Sequence, residues 1–156
     1  MKTVQSEELP LREMPQFVGP QAQAVDRWKD TSYPHMRSRS RSSCVKWVAA
    51  TCDFYEVHLD AAYARQTGAR DLYIGVHFFQ GLVGRYVTDW TGPSGRLRRM
   101  DLAQEGRCFP GENATVAGRV APFRHDCDGI DVELDISVGC ERGRLYDVRA
   151  AVRLPA

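Results

Sequence analysis

Two stretches near the C-terminus keep a strict period of two. Ile130, Val132, Leu134, Ile136 and Val138 alternate with Asp131, Glu133, Asp135 and Ser137, and Tyr146, Val148, Ala150, Val152 and Leu154 alternate with Asp147, Arg149, Ala151 and Arg153. A strand with one face in a core and the other in water uses such a pattern, so these segments commit the chain to a one-sided antiparallel sheet. Weaker strands fit residues 97–104 and 114–123. Turn signals at Pro110-Gly111, Asp128-Gly129 and Arg142-Gly143 separate the four, which predicts an antiparallel meander.

Upstream of Gly92-Pro93-Ser94-Gly95 the period is about 3.6 instead. Phe78, Phe79, Leu82, Val83, Tyr86, Val87 and Trp90 recur at spacings of three and four inside the most apolar stretch, Leu72 to Trp90, and predict a buried helix from about Val76 to Trp90. Gly81 and Gly84 inside it cost about 1 kcal/mol each relative to alanine, so a neighbouring backbone or a ligand is expected to approach there. Ser43 to Thr51 fits either a short helix or a strand, the helix being favoured with Ser42 or Ser43 as its N-cap, and a second short helix fits Asp60 to Thr67, with Asp60 at the N-terminus and Gly68 as the stop. Helices followed by strands make an α+β fold in which a sheet wraps one long helix.

The chain has 156 residues, enough for one core and short for two. Pro10, Pro15, Pro20 and Pro34 with little periodicity read residues 1–36 as an extended arm, and residues 37–156 as the single domain. The Arg-Ser alternation from Arg37 to Ser43 is too short for a low-complexity tail and reads as the approach to a strand or helix. Twenty-one basic against twenty acidic residues leave a net charge of +1, without the basic excess of a general nucleic-acid binder. No apolar run is long enough to cross a membrane as a helix, and Met1 to Leu11 lacks the character of a signal, so a soluble cytoplasmic protein is expected. Five cysteines with no CxxC pair suggest reduced thiols and no zinc knuckle.

The chemistry concentrates in Asp53-Phe54-Tyr55-Glu56-Val57-His58-Leu59-Asp60. A turn there brings a carboxylate and an imidazole to one spot, where they can share a water. The carboxylate takes a proton from it, and the imidazole orients it or transfers a proton to a reacting carbon. The competing structural account makes Asp53 a turn cap and His58 a satisfied, partly buried histidine. The segment resembles the hydratase motif of the MaoC-like (R-specific enoyl-CoA hydratase) hot-dog family, G-D-x-N-P-x-H-x-D followed by an Ala-containing helix. The order of elements agrees over roughly residues 38 to 154, with Thr88-Asp89-Trp90 at the helix end as weaker support.

The resemblance implies a hot-dog fold and an Asp53–His58 pair that activates water for syn addition across an α,β-unsaturated acyl thioester, or removes it in reverse. It implies that a backbone amide at the start of the central helix, Gly75 or Val76, binds the thioester oxygen, as helix-start N–H groups suit a developing enolate. It also implies a homodimer, or a heterodimer with another MaoC-like chain, with an acyl tunnel between subunits walled by Tyr55, Phe78 and Phe79. The substrate is carried on coenzyme A or on the phosphopantetheine of an acyl carrier protein, with no metal or redox cofactor and no nucleic-acid or membrane partner. Cys52, Tyr55 and Glu56 depart from the motif's Gly, Asn and Pro, which leaves the acyl group open.

Several other residues carry weaker expectations. Arg96, Arg98 and Arg99 offer three guanidinium groups for the substrate's phosphates, or a solvated strand end. His77 and Gly84 are candidate pocket residues, and His77 equally suits a polar helix start. His125-Asp126-Cys127-Asp128 has metal-capable residue types without ligand spacing, and the Asp128-Gly129 turn explains it better. Cys52, beside a carboxylate, is a poor nucleophile. Two other functions stand beside the hydratase. One is a hot-dog thioesterase, disfavoured because no carboxylate lies between Leu72 and Asp89; the other is a non-catalytic or partner acyl-binding subunit.

Overall fold

A computed structural model describes residues 33–37 and 41–155. Strand β1 (Tyr33–Arg37) leads to helix α1 (Arg41–Thr51), a 3-10 turn (Glu56–His58), helix α2 (Ala61–Gln66) and the long helix α3 (Val76–Thr91). Strands β2 (Arg96–Gln104), β3 (Asn113–Asp126), β4 (Gly129–Cys140) and β5 (Gly143–Pro155) follow. They form one antiparallel sheet in the order β1-β3-β4-β5-β2. This is a hot-dog fold, and its core is the contact between α3 and the sheet.

Alternation places the side chains as the sequence predicts. Ile130, Val132, Leu134, Ile136 and Val138 are buried on β4, and Tyr146, Val148, Ala150, Val152 and Leu154 on β5. Against them α3 turns Phe79, Leu82, Val83, Tyr86 and Val87, the i, i+3, i+4, i+7, i+8 stripe of a core-facing helix. Phe79 is fully buried, with its ring centroid 4.7 Å from that of Tyr146. Burial pushes both the Tyr146 and Tyr86 hydroxyls up to about 12, a hydrogen bond with the Gly118 backbone pulling Tyr86 the other way.

Two-residue turns join β3 to β4 and β4 to β5, so these three strands are the expected meander. Gly129 closes the first turn at φ +149, and a Cβ there would stand 2.2 Å from the Leu154 carbonyl oxygen. The fourth strand departs from the meander. β2 pairs with β5 rather than β3, because it runs back along α3 from the helix end and reaches the sheet at its far edge. The connection after it is held to the sheet by the Glu105 and Gly106 N–H groups on the Leu145 carbonyl. It then meets the start of α3, where the Ile74 N–H donates to the Cys108 carbonyl at 2.9 Å.

Four residues assigned by sequence to the arm, 33–36, join the sheet in β1, and the rest of the arm lies outside the described residues. Leu72 and Ile74 are buried but precede the helix, which starts only after Gly75. Gly81 and Gly84 also differ from expectation. They lie away from the sheet, and a Cβ on either would meet nothing within 4 Å. No backbone of the described residues needs their missing side chains. Among the described residues no helix is long and apolar enough to cross a membrane.

Candidate active site

Helix α1 ends because Cys52 turns into the left-handed region at φ +55, while the Thr51 hydroxyl folds back onto the Trp47 carbonyl at 3.1 Å. That reversal sends Asp53 back toward the body of the fold. Glu56–His58 then form a tight 3-10 turn, with the His58 N–H on the Tyr55 carbonyl at 3.0 Å and the Asp60 N–H on the Glu56 carbonyl at 2.8 Å. The Asp60 carboxylate caps α2, accepting from the Ala62 and Tyr63 N–H groups at 2.7 and 3.2 Å. Thus the short motif sits between two fixed helix ends, and its two reactive side chains inherit their direction from them.

His58 is buried, with 5% of its surface exposed. Its Nδ1 lies 2.6 Å from the Tyr73 carbonyl oxygen. A carbonyl only accepts, so Nδ1 carries the hydrogen and Nε2 is the atom left for chemistry. Three rings cage the imidazole edge-on, at centroid distances of 5.3 Å for Trp47, 6.0 Å for Tyr55 and 5.2 Å for Tyr73. Nε2 faces Asp53 Oδ2 at 3.6 Å. The same oxygen accepts from His77 Nδ1 at 3.2 Å.

Gly75 closes this space from the side of α3, as its N-cap. A Cβ there would lie 2.3 Å from Trp47 Cη2, 2.9 Å from His58 Nε2 and 3.1 Å from Asp53 Oδ2, so the backbone can come this close only without a side chain. Val76 is the first helical residue. The opening N–H groups of a helix have no acceptor within it, and here they begin beside the carboxylate and imidazole. The sequence-predicted Asp53, His58, Gly75 and Val76 are therefore brought together, and His77 joins them through Asp53.

The other expected residues separate. Tyr55 flanks His58 and is 54% exposed, and Phe54 and Leu59 of the same segment are 63% and 42% exposed, which leaves an apolar rim on the motif. Phe78 is half-buried against the core, whereas Phe79 is fully buried in it. Gly84 lies on the outward side of α3, two turns from the motif, and the structure does not bring it to Asp53 or His58. Arg96, Arg98 and Arg99 are exposed at the start of β2, next to the C-terminal end of α3. The helix is about 24 Å long at 1.5 Å per residue, so these guanidinium groups stand at the opposite end of the molecule from the motif. Arg99 is moreover paired with Asp101 at 2.6 Å.

Trp47 and Tyr73 belong to the site without having been singled out by sequence. Trp47 sits one helical turn before the end of α1, and Tyr73 contributes mainly a carbonyl, which no residue type announces. Among the described residues no group of three or more His, Cys, Asp or Glu side chains is placed to hold a metal ion, and the His125 and Asp126 side chains lie outside those described.

No family model matches the chain. A curated relative, the 3-oxo-4,17-pregnadiene-20-carboxyl-CoA hydratase beta subunit of Mycobacterium tuberculosis (strain ATCC 25618 / H37Rv), is 36% identical over 76 residues, 49% of this chain. The match spans 59% of that relative's length. Among solved structures, a chain of the ChsH1-ChsH2 complex from Mycobacterium tuberculosis superposes with a TM-score of 0.70 at 24% identity, covering 80% of this chain and 95% of that one. The (R)-hydratase from A. caviae involved in PHA biosynthesis superposes with a TM-score of 0.71 at 20% identity, over 80% of this chain and 93% of that one.

Proposed function

We propose that the chain is a divergent member of the MaoC-like hot-dog family, a reading its likeness to a hydratase subunit and to hot-dog hydratases supports, and that it adds water to, or removes it from, the α,β-double bond of an acyl thioester. The observation that carries this is the 3.6 Å separation of Asp53 Oδ2 and His58 Nε2 beside the start of α3. That gap is too long for a direct hydrogen bond of ordinary strength, and a water seated beside it is within reach of both groups. In the hydration direction, the Asp53 carboxylate takes one proton of the water as its oxygen bonds to Cβ. The π electrons shift toward the thioester, and protonated His58 gives the Nε2 proton to Cα. The thioester oxygen, negative as the enolate forms, is met by the backbone N–H groups of Gly75 or Val76, where the helix dipole is favourable. The proton on Asp53 then returns to His58, and the net change is one water added.

Both protein groups approach from one side, which makes the addition syn. The mechanism draws on no metal or redox group, and the thioester carrier is coenzyme A or phosphopantetheine. The apolar rim of Phe54, Tyr55 and Leu59 supports a second chain seated over the mouth of the site. The likeness to a hydratase beta subunit and to a two-chain complex favours a different MaoC-like chain in that place over an identical copy. A thioesterase has no support, since the first turn of α3 carries no acid.

Turnover of crotonyl and longer enoyl thioesters, followed by loss of the conjugated absorbance, tests this with the chain alone and with a co-expressed MaoC-like partner. Asp53→Asn and His58→Asn each lower turnover about 10²–10⁴-fold with the fold intact by circular dichroism. Variants as active as the parent overturn the assignment. Activity that appears only with the partner, and survives both substitutions, makes this chain the non-catalytic subunit.

A further inference from the structure

We propose that His77 is a positioning residue for Asp53, donating its Nδ1–H to Oδ2 and so fixing the carboxylate beside His58. The inference rests on the hydratase proposal and deepens it. Asp53 is reached by two imidazoles, and both reach the same oxygen: His58 Nε2 from the buried side at 3.6 Å and His77 Nδ1 from the open side at 3.2 Å. The carboxylate is 21% exposed, between a His58 side chain at 6% and a His77 side chain at 53%.

The placement follows from the backbone. His77 is the second residue of α3, and helix side chains lean toward the N-terminus of their helix, which carries this ring back over Gly75. The absent Cβ at Gly75 leaves the space in which the carboxylate lies. Asp53 itself follows the left-handed Cys52 in the connection between α1 and the 3-10 turn. Without the outer imidazole the carboxylate is free to rotate and to hydrate on both oxygens. Misplacement of a reacting group by about 1 Å can cost on the order of 10²-fold in rate. His77 is thus a holder of the base, and not the wall of the acyl pocket that its position in the sequence suggests. Because a carboxylate only accepts, the bond also dictates the tautomer of neutral His77, with hydrogen on Nδ1.

Steady-state kinetics of the parent, His77→Leu and His77→Asn, with ring ¹⁵N spectra of the parent, test this. Asparagine places an amide N–H close to where Nδ1–H stands, and leucine fills the space without a donor. His77→Leu lowers kcat about tenfold or more with KM within about twofold, and His77→Asn recovers most of the loss. The neutral His77 ring carries its hydrogen on Nδ1. A His77→Leu variant with parental kcat, a change confined to KM, an Asn variant as impaired as the Leu one, or a hydrogen on Nε2 each overturns the proposal. If the parent itself turns over no enoyl thioester, the hydratase reading has failed separately, and the ring spectra alone decide whether His77 holds Asp53.

Discussion

The imidazole of His58 is anchored from behind by the main chain of Tyr73, with Nδ1 2.6 Å from the carbonyl oxygen. The anchor is itself held, because the Tyr73 N–H donates to the Val57 carbonyl at 3.3 Å, so the 3-10 turn and the approach to α3 are joined at two points one residue apart. An acceptor on the backbone has a consequence for substitution. Tyr73→Leu removes a ring 5.2 Å from the imidazole but keeps the carbonyl. Its kcat should fall less than about tenfold, against the 10²–10⁴-fold loss expected of His58→Asn. Equal losses in the two variants would show that the ring, and not the carbonyl, holds His58.

Gly75→Ala forces a methyl group to 2.3 Å from Trp47 Cη2. Overpacking of this kind costs about 1–3 kcal/mol. Trp47→Phe removes the clashing carbon, so the double variant should be more stable than the sum of the two single changes. Chemical denaturation of the four proteins measures the coupling, and strict additivity would mean that Gly75 is free to move.

Cys52 holds φ +55 where the MaoC-like motif that this segment resembles has glycine. A side chain in this region costs about 1–2 kcal/mol, partly offset by the lower unfolded-state entropy of a non-glycine residue. Cys52→Gly should therefore raise stability by about 0.5–1 kcal/mol, read as a higher urea midpoint at unchanged slope. A lower midpoint would contradict the strain.

The acid limit of stability should be set in part by Glu112, which Arg70 and Arg142 both pair with and which accepts the Phe109 N–H at 3.0 Å. Burial acts to raise its carboxyl, but the bonds from Arg142 and Phe109 and the charges of Arg142 and Arg70 outweigh it, and the folded value falls below the ordinary 4.5. The unfolded chain then binds the proton more tightly. This contribution is fully present above about pH 4.5 and is lost as pH falls through the lower folded value. Glu112→Gln should be less stable than the parent at pH 7 and show a shallower loss on acidification. Parallel pH profiles for the two proteins would contradict this.

Much of this architecture is legible in the residues, for definite reasons. Alternation on β4 and β5 and the 3.6 period of α3 each report burial directly, and the observed inward residues are those the periods pick out. The partner of β2 is not legible, because an edge strand with exposed residues at most positions carries no face to match. In the site, Asp53, His58 and Gly75 are carried by a local motif and the next helix start. The Tyr73 anchor escapes because it is a carbonyl. The His77 bond to Asp53 spans 24 residues and depends on how α3 is docked. Arg96, Arg98 and Arg99 look like a phosphate site as residue types, and only the length of α3 shows that they stand far from the motif of their own chain.

Hydration of an enoyl thioester run in deuterated water tests the catalytic pair most directly. With the complete enzyme, alone or with its partner chain, NMR of the product should show one deuterium on Cα and the hydroxyl on Cβ in a single syn isomer, and Asp53→Asn should yield almost none. A mixture of syn and anti products, or equal product from the Asn variant, would contradict a water held between Asp53 and His58.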